Sequence, residues 1–241
     1  MHTVFLRRRL GWLLCMIGMV MVFGALSYQE LDKVHSVSGE AKVERILIID
    51  PGHGGDDGGA VSADGVQEAD LNLAISQKLD LLARLCGIET CMTRNAAEIS
   101  YPTDADSIAA RKVADQKQRV RLINDTQNAF VISIHQNQYP TPGPHGAQVL
   151  YGCTPESKEL GELMQSLLVT QLDPQNRRVA APIPDDVYLF KNISCPSVLV
   201  ECGFLSNADE CQRLQSASYQ ISLAMTILSS YLQYNQNGCR I

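Results

Sequence analysis

The sequence predicts an α/β fold: a largely parallel, twisted sheet of about six strands with helices on both faces. Two observations lead to it. Short apolar runs such as "FVISI" (130–134) and "SVLVE" (197–201) show no polar alternation, as expected of strands covered on both sides. Between such runs lie longer stretches whose apolar residues recur at helical spacing.

Taken in order, residues 46–50, "ILIID", form the first strand, which ends in the glycine-rich turn "PGHGGDDGGAV". Residues 70–86 put Leu71, Ile75, Leu79, Leu82 and Cys86 on one helical stripe, and Gly87 stops that helix. A short strand over 88–93 and an amphipathic helix over 115–127 follow. Residues 130–134 and 147–151 are the third and fourth strands. Residues 156–172 align Leu160, Leu163, Met164, Leu167 and Leu168 on one helix face. Strands over 187–190 and 197–201 and a closing helix over 209–234 complete the domain, which spans 45–241.

The first 28 residues are of another kind. Arg7, Arg8 and Arg9 precede a nearly unbroken apolar run from Leu10 to Leu26 that has no polar face. This segment is a membrane anchor or a signal sequence, with Ala25 and Ser27 suited to a cleavage site before Tyr28. Either way the arginines keep the N-terminus cytoplasmic and the domain lies outside the cytoplasm. Residues 29–44, polar and mixed in charge, form a tether. A net charge of −6 argues against a nucleic-acid partner. The eight cysteines are scattered without a CxxC, and free, mostly buried thiols are the expectation.

In doubly covered sheets, functional residues gather at the carboxyl ends of strands. The first strand delivers Asp50 and then His53, the third His135 and Asn137, and the last Glu201. Glu68 opens the first helix directly after the glycine loop. Of the five histidines, His2 and His35 precede the domain, and His145 reads as a solvated loop residue. That the other two both end predicted parallel strands points to joint work. Two imidazoles and one carboxylate leave the fourth position of a tetrahedral Zn2+ open, the pattern of catalytic sites. The second carboxylate is then free for general base and acid work. Glu68, reached through a flexible loop, is assigned to the metal with His53 and His135, and Glu201, on a rigid strand end, to proton transfer. A phosphate cradle fits poorly, because the loop lacks a Gly-Lys-Ser/Thr ending and carries Asp56 and Asp57.

The stretches "IIDPGHGGDDGGAV", "EADLNL", "TR", "QRVRLIN", "ISIHQN" and "SVLVECGFLSN" resemble, in order, the motifs of zinc-dependent N-acetylmuramoyl-L-alanine amidases of the amidase-3 type. The resemblance covers residues 46 to 232. It implies a Zn2+ held by His53, Glu68 and His135, catalysis by Glu201, and cleavage of the amide between N-acetylmuramic acid and L-alanine in peptidoglycan. Asn137 is implied near substrate. Arg119 and Asn124 match a helix motif of the family; the plain alternative is a helix-surface charge and a helix-end polar residue. Departures are Gln136 after His135, where the family usually has Ala, and a longer 96–114 segment. With "GAQVLYG" and "LDPQNRRVAAPI", the chain is similar to the CwlD-type sporulation amidases, which implies a role in spore cortex between forespore and mother cell and allows for an accessory protein partner. Two other readings are a muropeptide-binding protein that has lost catalysis and a zinc peptidase or deacylase. The first would lack a ligand or the acid, and neither is missing.

Overall fold

The computed structural model describes residues 45–237. The expected anchor or signal segment and the tether lie outside the described residues, among which no helix is long and apolar enough to cross a membrane. The strands are β1 (Ile46–Pro51), β2 (Thr90–Met92), β3 (Ala129–Asn137), β4 (Gln148–Tyr151), β5 (Ala181–Pro182) and β6 (Ser197–Phe204). The helices are α1 (Glu68–Leu85), α2 (Ile108–Asp125), α3 (Pro155–Leu172), α4 (Tyr188–Lys191), α5 (Ala208–Gln215) and α6 (Ala217–Asn237). They build one six-stranded sheet in the order β2-β1-β3-β6-β4-β5. All neighbouring strands are parallel except β4 and β6, which run antiparallel.

Strand alternation divides the side chains between two apolar layers. Leu47, Ile49, Phe130, Ile132, Ile134, Val198 and Val200 face α1, α3 and α6 in the larger core. Ile48, Ala129 and Val131 face the other way, against Ile123 of α2 and Leu189 of α4. Helices on both faces account for the unbroken apolar runs of β3 and β6. The three central parallel strands, β1, β3 and β6, deliver their carboxyl ends to one edge of the sheet.

Three predicted elements differ. The strand expected at 187–190 is the short helix α4; its four-residue apolar run carries no period, and the sheet position is taken by Ala181 and Pro182 instead. Pro182 suits an edge strand, where a missing N–H costs nothing. The closing helix is two helices, because Ser216 is extended (φ −75°, ψ 124°) and ends α5 before α6 begins. Helix α2 starts seven residues ahead of expectation, at Ile108, capped by Ser107, whose hydroxyl accepts the Ala110 N–H at 3.2 Å. Its first two turns carry apolar residues, but Ile108 and Val113 stay exposed, so no buried stripe marks them. Of the described cysteines, all free, only Cys202 and Cys211 are buried, while Cys86 and Cys153 are exposed.

Phe130 shows where the larger core closes. It is fully buried, with the Tyr231 ring edge-on at 5.5 Å and the Tyr234 ring at 6.0 Å. Phe130→Ala should lower the folding free energy by about 3–5 kcal/mol, read as a fall in the urea midpoint at unchanged slope.

Candidate functional site

The site is built on the turn that follows β1. His53 has φ +60°, the left-handed region that non-glycine residues seldom enter. Two arginines hold the backbone there. Arg119, 2% exposed, donates to the carbonyls of Pro51 and His53 at 2.7 Å each and to Asp50 Oδ1 at 2.7 Å. Arg94 donates to the carbonyls of Pro51, Gly52 and Ala69 at 2.8–3.0 Å. Asp50 also accepts from Thr93 and Ser133 at 2.6 Å each. Burial opposes its charge, but Arg119 and these hydroxyls hold its carboxyl below the usual range.

Two glycines let His53, Glu68 and His135 approach one another. A Cβ on Gly52 would stand 2.2 Å from the His135 ring. Gly59 has φ +68°, and a Cβ there would stand 2.7 Å from Glu68 Oε2 and 2.8 Å from His53 Cδ2.

His53, Glu68 and His135 converge, with one nitrogen or oxygen atom of each within 4.8 Å of the others. His53 Nε2 is 3.4 Å from Glu68 Oε2, and His135 Nδ1 is 3.0 Å from Glu68 Oε1. Donors about 2.0–2.1 Å from a tetrahedral zinc lie about 3.3 Å from one another, so the donor set and its spacing fit that ion. Asp57 accepts from or shares a proton with His53 Nδ1 at 2.9 Å, which leaves Nε2 facing Glu68. Carboxylate support of this kind fixes a ligating imidazole's tautomer. Asp57 is itself paired with Lys112 of α2 at 3.0 Å.

The charges sort accordingly. Burial disfavours a charged His53, but hydrogen bonds with Asp57 and Glu68 outweigh it and raise its pKa to about 9. Glu68 is held far below the ordinary carboxylate range, since bonds to both histidines outweigh its burial. Glu68 also accepts backbone N–H groups of Ala60 (2.9 Å) and Gln136 (3.1 Å).

Glu201 is the opposite case. It pairs in register with His135 on one side and Gln148 on the other, so the three lie in one row across β3, β6 and β4. Burial raises its pKa and the charge of Glu68 adds to this, against the pull of His135. Its Oε2 is buried without a partner, because the Gln148 amide is taken up by Arg178 (2.8 Å) and the Val179 carbonyl (3.0 Å).

The remaining expected residues separate. Arg119 is no surface charge; it lies buried under the His53 turn. Asn124 is exposed near the end of α2 and donates to the Asn192 carbonyl at 2.9 Å, so it is a helix-end polar residue outside this group. Asn137 ends β3 past a register irregularity, and its carbonyl accepts the Leu205 N–H at 2.8 Å. Among the described residues neither asparagine side chain bonds to the four central groups. His145 is exposed, 3.7 Å from the Asp173 carboxylate. Asp57, Asn72, Arg94 and Arg178 all lie within stretches quoted above, but none was given a role in the site there. For Asp57 a signal existed, four residues after His53; for the others only the fold brings the partners together.

Residues 47–231 match the family model described as N-acetylmuramoyl-L-alanine amidase. The chain belongs to the amidase-3 family. A germination-specific N-acetylmuramoyl-L-alanine amidase of Bacillus subtilis is 32% identical over 95% of this chain and 96% of its own length. The structure of the CwlD amidase from Clostridioides difficile, in complex with the GerS lipoprotein, superposes with a TM-score of 0.76 at 35% identity, covering 79% of this chain and 98% of that one. An N-acetylmuramoyl-L-alanine amidase from Clostridium difficile 630 gives 0.67 at 30% identity, over 79% and 96%. The amidase-3 fold, with its mostly parallel sheet, is thus shared, and the chain is of the CwlD type within it.

The ion pair beneath the turn can be tested for stability. Arg119→Leu leaves Asp50 buried and uncompensated and should cost about 3–5 kcal/mol. The double change Asp50→Asn, Arg119→Leu should cost less than the sum of the two single changes, by chemical denaturation of all three proteins.

Proposed function

We propose that the chain hydrolyses the amide between N-acetylmuramic acid and L-alanine in peptidoglycan with zinc held by His53, Glu68 and His135, and that it acts in spore cortex, where muramic δ-lactam is made. The observation that carries the chemistry is a convergent His-Glu-His group beside Glu201, which is in register with His135 and has one buried, unpartnered oxygen. The likeness to the germination-specific amidase and to CwlD supports the cortex role. The domain is read as extracytoplasmic, behind an anchor or signal sequence (1–28) and a tether (29–44). Because the CwlD structure is that of a complex with a lipoprotein, an accessory protein partner is part of the proposal.

Zinc at these three residues would polarise the scissile carbonyl and activate water. The chain's own groups do the rest. Glu201 has a free oxygen and a raised pKa, so it takes the proton of the attacking water and later hands it to the leaving amine of L-alanine. Asp57 and Lys112 keep His53 oriented, and the arginines keep its backbone in the left-handed turn.

Purified protein on intact peptidoglycan should release stem peptides that begin with L-alanine, identified by mass; absence of that product would refute the proposal. The two glutamates should separate by metal content. Glu201→Gln should retain zinc while turnover falls roughly a hundredfold or more. Glu68→Gln should lose zinc first, and excess zinc should return part of its activity. Zinc analysis beside turnover for both proteins reveals whether these roles are reversed. A chain of residues 29–241 should remain soluble and folded, by circular dichroism, if the N-terminal segment is separable.

A further inference from the structure

Beside the His-Glu-His group, on the opposite face of the sheet from His135, lie two linked buried carboxamides. Gln136 follows His135 on β3, so strand alternation turns its side chain into the layer packed by α1. It is 4% exposed there, and its Nε2 donates to Asn72 Oδ1 at 3.1 Å. Asn72, fully buried on α1, donates to the Gly52 carbonyl at 3.0 Å and to Glu68 Oε1 at 3.2 Å. The backbone N–H of Gln136 reaches that same Oε1.

The Asn72 amide has two orientations of nearly equal shape. Gly52 O and Glu68 Oε1 can only accept, so they call for its NH2 group. The reversed amide would set its oxygen against a carbonyl and a carboxylate together. Among the described residues Gln136 supplies the one donor that pins the Asn72 oxygen on the far side. It does so at a cost to the fold, because its own Oε1 is buried without a partner. The Cys202 thiol lies near the Gln136 side chain, but its proton is directed to the Val200 carbonyl at 3.8 Å. A methionine of similar length would fill the same space and exchange the orphaned Gln136 Oε1 for an orphaned Asn72 Oδ1, which leaves the fold about as stable as before.

We propose that Gln136 is a positioning residue for the metal ligand Glu68: acting through Asn72, it strengthens divalent-cation binding while adding nothing to the stability of the fold. The inference rests on the metal reading of the His53, Glu68 and His135 group. The test uses the full-length chain and Zn2+ alone, with affinity measured by competition against a chromogenic chelator. Gln136→Met should weaken Zn2+ binding about tenfold or more, while the melting temperature of the metal-free protein stays level or rises. Asn72→Leu should weaken binding at least as much. Adding Gln136→Met to Asn72→Leu should bring no further loss, because Gln136 acts through Asn72. If Gln136→Met binds as wild type does, or loses stability in step with affinity, the inference is overturned while the metal site stands. A wild-type chain that binds no Zn2+ removes the metal reading and the inference together. Should Gln136→Met fail to fold, Gln136→Leu takes its place, and failure of both to fold would give Gln136 the structural role denied to it here.

Discussion

The buried contact between Arg119 and the end of β1 is the constraint on which the rest of the site depends. Where a strand leaves its sheet, its carbonyls lose the neighbours that would pair them, and burial makes unpaired carbonyls expensive. Here Pro51, Gly52 and His53 all lie at that point, under helices. Two guanidinium groups, each with a rigid fork of donors, take the places of the missing strand. Asp50 balances the Arg119 charge, and Ser133 and Thr93 complete its shell. The left-handed conformation of His53 persists because these bonds over-determine it.

From that anchor two carboxylates acquire opposite characters within one small region. Glu68 is surrounded by donors on both oxygens, so it stays charged and fixed. Glu201 lies one strand beyond His135 with an unpaired oxygen, and burial disfavours its charge. Environments that push two acids apart in this way suit one to holding a charge and the other to exchanging a proton.

Most of this was legible in the residues. Continuous apolar runs gave the central strands, and the carboxyl-end rule gave His53, His135 and Glu201 without any view of side chains. What stayed hidden lies where local pattern carries no information. The run at 187–190 is too short to show a period, and α4 results from the chain turning beside an edge strand. Ser216 ends α5 in a stretch where no proline or glycine marks the break. Arg119 reads as a surface charge on an amphipathic helix until Asp50 is known to sit opposite it. Asn124, five residues on, matched the same motif and faces solvent.

The attachment of α2 has a consequence for how the protein comes apart. This helix meets the sheet through a small apolar cluster around Ile48, Val131 and Ile123, whereas α1, α3 and α6 share the large one. Regions with few buried contacts open at lower free energy than the global transition. When α2 lifts, Arg119 and Lys112 go with it, and the His53 turn loses its hold while the larger core stays intact. Proton exchange at the amides of α2 and loosening of the His-Glu-His group would then share one opening event, well short of denaturation.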